Sequence, residues 1–271
     1  MRILQKIIVI VSIFSTLLSA FEIDPFDSEA SLLENFSTNC LQMTQSQQIL
    51  KDYMMIGLHS NFGNPKESLS RTIPLYDKRA HQIREYFQKH LNGHEAAKKA
   101  FDEAMMLWSD NKVLLLQKPT RKNAVTIKNN FLKMIDKLLA GTKPLATPEL
   151  ELISLTGKLC RKPLEITIDY LLQIWGVKVE NYDKDINQII VNYARNLKVL
   201  SANKLNNEES RVLLREAKKQ FMYFEFAHRD DKISIPSLLS KKADNNFKII
   251  REIKKVFKKQ ASLSKKKSTM K

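Results

Sequence analysis

The chain is expected to be all-α, two tandem antiparallel four-helix bundles behind an N-terminal export signal. Three observations predict this. The segment Ile49-Leu50-Lys51-Asp52-Tyr53-Met54-Met55 returns 117 residues later as Ile166-Thr167-Ile168-Asp169-Tyr170-Leu171-Leu172, each copy inside a long helical pattern followed by three more. Glycine is scarce, 6 in 271 residues, and β-branched residues do not alternate at period two. The breaks between the apolar patterns are short, which makes consecutive helices antiparallel neighbours.

Residues 1–20 read as a signal peptide. Arg2 and Lys6 give a positive start, Ile7 to Leu18 an apolar run, and Ser19-Ala20 small residues before Glu22 and Asp24. Leu18 is imperfect for cleavage, so an uncleaved N-terminal membrane anchor is the alternative. No later segment approaches the roughly 20 apolar residues that span a bilayer. The mature protein is expected in the periplasm.

Residues 27–142 form the first bundle. Asp27 or Ser28 caps a helix that places Phe36, Cys40, Met43, Gln47, Leu50, Met54 and Gly57 at alternating spacings of four and three, a seam with one polar member. Asn61 to Pro65 turns the chain, with Asn64 as cap and Pro65 at the first helical position. The second helix faces inward with Leu69, Ile73, Tyr76, Ala80, Ile83 and Phe87, and Pro74 predicts a kink. After Asn92-Gly93 the third helix buries Ala97, Phe101, Ala104 and Trp108. Pro119-Thr120 opens the fourth, with Ala124, Ile127, Phe131, Met134 and Leu138 inward. Gly141 to Pro148 reads as the linker.

Residues 147–260 form the second bundle. Thr147 caps its first helix, with Pro148 at the first position and Glu149 and Glu151 where the helix dipole favours acid. Further helices are expected over roughly 181–200, 206–228 and 236–260. Ile186, Ile189, Tyr193 and Leu197 mark the first of these faces, Leu213, Phe221 and Phe224 the second, and Phe247, Ile250 and Phe257 the third. Residues 261–271 read as a disordered basic tail.

The formal net charge is +16, and residues 241–271 alone carry 12 Lys or Arg against Asp244 and Glu252. A block of like charge seeks something acidic. The export signal argues against nucleic acid and for an anionic membrane surface (lipid or lipopolysaccharide) or an acidic partner, with a tail that serves solubility alone as the competing reading. Cys40 and Cys160 fall in the first helix of each copy. Side-by-side packing of those helices would allow them to pair; the alternatives are pairing between protomers and buried free thiols. The sequence carries no nucleophile elbow, phosphate loop or paired-cysteine zinc motif, so no enzyme, no cofactor and no metal is expected. His90 and His94 are four apart, but Asn92-Gly93 interrupts the helix between them.

Thr156-Gly157-Lys158-Leu159, Tyr170-Leu171-Leu172 and Trp175-Gly176-Val177, with Gln42, Ser46-Gln47, Ile49, Lys51 and Tyr53 in the first copy, resemble PilJ-type domains. These are the periplasmic N-terminal modules of type IV pili methyl-accepting chemotaxis transducers, related to NarX-like nitrate/nitrite sensor domains. Leu107-Trp108 and Phe221 to Phe224 resemble the family's aromatic third helix. The resemblance implies a sensor bundle that binds a small anion or other solute on its first helix, pairs as a homodimer and acts through a membrane-bound signalling partner. The family's arginine falls on Cys160 in the second copy and Met43 in the first, with Arg161 one position away. The candidate ligand-binding residues are therefore Lys158, Arg161 and Lys162, three cations within five residues, joined by Gln42, Ser46, Gln47 and Lys51. A solvated polar helix surface is the competing reading for all seven. Competing with the sensor as a whole is a non-enzymatic envelope adaptor, tethered to anionic surfaces by its basic tail.

Overall fold

The computed structural model describes residues 32–229 and 235–269. The signal peptide expected over 1–20 and the caps at Asp27 and Ser28 lie outside them. Among the described residues there are eight α-helices, one short 3-10 turn and no strand. The helices are α1 (Leu32–Gly57), α2 (Pro65–His90), α3 (Glu95–Leu115), α4 (Arg121–Thr142), α5 (Pro148–Ile174), α6 (Tyr182–Ser201), α7 (Glu208–Arg229) and α8 (Pro236–Thr269). None of them is long and apolar enough to cross a membrane.

Local chemistry sets the helix starts. Thr120 Oγ1 accepts from the Asn123 amide at 3.1 Å to open α4, and Thr147 Oγ1 accepts from the Leu150 amide at 3.3 Å to open α5. Asn64 precedes α2 in a left-handed conformation and bonds Glu67 through its side chain. α2 runs unbroken through Pro74, and α5 through Pro163. Two expected boundaries move. Gly141 and Thr142, assigned by sequence to the linker, belong to α4. A Cβ on Gly141 would lie 2.7 Å from the Phe101 ring, so this glycine permits close helix packing rather than breaking the chain. α8 runs to Thr269, past the boundary at 260, over residues that contain neither glycine nor proline.

Two apolar cores flank a central pair of helices. The first gathers Phe36, Leu50, Tyr53, Phe87, Trp108 and Phe131 with Ile153 and Leu171 of α5. The second gathers Leu159, Leu164, Tyr193, Phe221, Phe224 and Phe257 with Leu41 of α1. In the first, Tyr76 and Trp108 pack with ring centres 4.2 Å apart, and Trp108 Nε1 donates to Asp77 at 2.7 Å. In the second, Tyr193 stacks on Phe221 at 3.5 Å, and Asn246 Nδ2 donates to the Tyr193 hydroxyl at 2.9 Å.

The sequence repeat is also a repeat of backbone conformation. Outside glycine, φ is positive at His59, Asn64 and Asn181 among the described residues. Gly176, also at positive φ, follows His59 by 117 positions, and Asn181 follows Asn64 by the same interval. α1 and α5 lie against each other in that register. Cys40 Cβ would stand 3.1 Å from a Cβ on Gly157, 117 positions on, and the Trp175 ring covers Gly57, 118 positions back. Equivalent ends therefore meet, and the two helices run parallel.

Candidate functional site

α1 is enclosed almost all round. From Asn35 to Met55 only Thr38 is not buried, because α2 and α4 cover one side while α5 covers another and α8 reaches it through ion pairs. Its polar side chains are therefore inside, and the structure excludes the reading of Gln42, Ser46, Gln47 and Lys51 as a solvated surface. They do not converge on one point. Gln42 Nε2 donates to the Tyr76 carbonyl at 3.2 Å, toward the first core, and its Oε1 has no partner. Ser46 donates to the Met43 carbonyl of its own helix at 2.9 Å. Lys51, 2% exposed, reaches the other way and bonds both Asp244 oxygens at 2.7 and 2.9 Å. The Gln47 Nε2 has no partner.

Lys51 belongs to a charge network that the sequence reading did not identify. Asp52 lies 3.8 Å from Lys51, accepts from Ser68 Oγ at 2.6 Å and from Gln48 Nε2 at 3.3 Å. Burial pushes its pKa up to about 6, against the pull of Lys51 and the Ser68 hydrogen bond. Its repeat counterpart Asp169 is also raised by burial and is paired with Lys128 of α4. The recurrence of Ile-x-x-Asp-Tyr was the available signal for both aspartates.

The cation cluster on α5 is dispersed by the helix. Lys158 is exposed, and Lys162 turns to Glu165 at 2.5 Å. Arg161 alone goes inward, 5% exposed at the α1–α5 seam. Its Nη1 touches Met43 Sδ at 3.8 Å, its Nε has no partner, and no carboxylate pairs with it among the described residues. Lys254 of α8 joins it there, also without a carboxylate partner among the described residues. Burial lowers the Lys254 pKa. Both cations flank Cys40 and Cys160, which are unbridged and buried. Burial raises Cys40 to about 11 and Cys160 to about 12, only partly offset by Arg161 and Lys254. Neither thiol is ionised near neutral pH, so neither supplies the missing counter-charge.

Two open clefts lie where the first helices end. One, about 750 Å³, is lined by Gly57, His59, Lys66, Lys118, Arg121 and Trp175 among others, with no acidic side chain. The other, about 800 Å³, occupies the matching end of the second repeat and includes Tyr170, Tyr182, Asp183 and Lys184. A void of about 20 Å³ beside Asn39 and Gln42 has room for a single water and no larger solute.

Comparison with protein-family models, curated proteins and solved structures finds no match to this chain. The chemistry therefore rests on the geometry. A buried guanidinium with an open donor, beside an ammonium and two neutral thiols, is a place that favours an anion.

Proposed function

We propose that the protein is an exported, periplasmic sensor-type binding protein for a small anion such as nitrate or nitrite, built as two tandem antiparallel four-helix bundles and acting through a membrane signalling partner. The observation that carries this reading is Arg161, buried at the seam between the two repeats with its Nε unpartnered and no carboxylate paired with it among the described residues. A buried cation without a counter-charge costs several kcal/mol, and a bound anion recovers much of that cost. The PilJ and NarX-like resemblance placed ligand recognition on the first helix, where Arg161 stands. The in-register pairing of α1 and α5 gives one chain the first-helix contact that such sensors make between two. Of the seven candidate residues Arg161 is the principal ligand group, and Lys254 is added to them.

The test is a thermal-shift and calorimetry screen of the mature protein against nitrate, nitrite, other small anions and amino acids at constant ionic strength. A ligand at 100 times its dissociation constant adds about 2.7 kcal/mol of stability. The expected result is a specific hit that is lost in Arg161→Met, which preserves bulk while removing the charge. A flat response from folded protein would sink the sensor reading and favour the envelope adaptor.

A further inference from the structure

The cleft at the end of the first repeat offers different chemistry from the seam. It is open, and three cations, Lys66, Lys118 and Arg121, stand around it. Among the described residues none of their three side chains makes a hydrogen bond or ion pair. Ile56, Pro119 and Trp175 add apolar surface. Its volume of about 750 Å³ falls within the range of small-molecule sites.

Local structure shapes this cleft in advance. A Cβ on Gly57 would lie 2.1 Å from the Trp175 ring, so only glycine lets the indole lie across the end of α1. Gly176, at φ +78°, turns the chain directly after Trp175, and the Arg121 guanidinium packs about 3.5 Å from where its Cβ would be. The repeat tyrosine Tyr53, fully buried, donates to the Lys118 carbonyl at 3.4 Å and ties the loop that carries the lysine to α1. Thr120 and Arg121 stand at the amino end of α4, where the helix dipole adds to the positive potential.

The second repeat supplies an internal comparison. Its cleft occupies the matching end but places Asp183 beside Lys184, so its charges offset. The cationic character belongs to the first repeat alone. It is not a by-product of the architecture.

We infer that the first-repeat cleft binds a small organic oxyanion, a phosphate or carboxylate on an apolar body, with Lys66, Lys118 and Arg121 on the charged group and Trp175 against the apolar part. This site is separate from the Arg161 seam and stands whether or not the seam takes an anion. The experiment titrates the full mature chain with phenyl phosphate, phenylacetate and inorganic phosphate at constant ionic strength, reading Trp175 emission and calorimetric heat. Trp108 is buried in the first core and forms a constant background.

Saturable binding of phenyl phosphate or phenylacetate, tighter than inorganic phosphate, is expected. The exposed double substitution Lys118→Ala/Arg121→Ala should weaken it at least about tenfold, while Arg161→Met leaves it unchanged. Unresponsive wild-type protein would overturn the inference. So would a double variant that binds as wild type does, or loss of binding in Arg161→Met alone, which would move the ligand to the seam.

Discussion

Replacing Asp52 by asparagine should stabilise the protein at neutral pH. Asp52 is buried between Lys51, Asp244, Ser68 and Gln48, and burial raises its carboxyl from 3.8 to about 6. A folded state that holds the proton more tightly than the unfolded chain loses stability as pH rises from about 4 to about 6, and the loss is constant above that. Linkage sets the full cost of the ionised carboxylate at about 3 kcal/mol. This is a ceiling, because asparagine keeps only one of the two carboxylate oxygens that accept from Ser68 and Gln48. Asparagine keeps an oxygen for the Ser68 hydroxyl, and Lys51 keeps both Asp244 oxygens. The expected gain for Asp52→Asn is therefore about 1–3 kcal/mol at pH 7.5, vanishing near pH 4 where the wild-type group is protonated too. Urea denaturation of both proteins at pH 4, 6 and 7.5 measures the difference directly. A variant less stable than wild type at pH 7.5, or a difference that does not change with pH, would mean that Lys51 outweighs desolvation and would refute the reasoning.

Two further substitutions probe the contacts between the repeats. Gly57→Ala places a methyl where the Trp175 ring lies, so the ring must move; a loss of about 1–3 kcal/mol is expected with a shift in tryptophan emission, read by denaturation and fluorescence together. Lys128→Ala strips Asp169, buried and already raised, of its counter-charge. A loss of about 2–4 kcal/mol at pH 7.5 is expected, smaller at pH 5, and most of it should return in Lys128→Ala/Asp169→Asn on the same denaturation assay.

The elements of this fold were legible because its helices are bounded by chemistry that acts locally. Thr120, Thr147, Asn64-Pro65 and Asn92-Gly93 mark ends that the structure keeps, and apolar spacing identified Tyr76, Trp108, Phe131, Tyr193 and Phe221 as buried. What local chemistry does not encode is what covers a helix. Lys51 reads as a surface or ligand group because a single bundle would leave it facing solvent. It is inside because the second repeat lies over that side of α1. Gly141 was misread for the same reason: its role is set by Phe101, forty residues away. Among the α5 cations the sequence offered three equals, and only the three-dimensional seam separates Arg161 from Lys158 and Lys162. The end cleft was missed outright. Lys66, Lys118 and Arg121 come from separate loops and helix starts, and no spacing rule joins them.

The way the repeats are joined explains why copies so similar in backbone have diverged in chemistry. Lys51 and Lys128 of the first repeat pair with Asp244 and Asp169 of the second, and Lys258 of the second returns to Glu34 of the first. In the first two pairs one partner is buried, Lys51 and Asp169, so removing the other leaves a charge in a poorly solvated place. These pairs run from α1 to α8 and from α4 to α5, so they tie the two repeats together on either side of the α1–α5 contact. Two separate but identical subunits would have to present the same residues on both sides of the contact. Within a single chain that constraint is lifted. One copy can supply lysines and the other aspartates, and Arg161 has Thr44 as its counterpart in the first repeat. A seam with one inward guanidinium and a cationic cleft on one repeat alone are asymmetries that fusion allows.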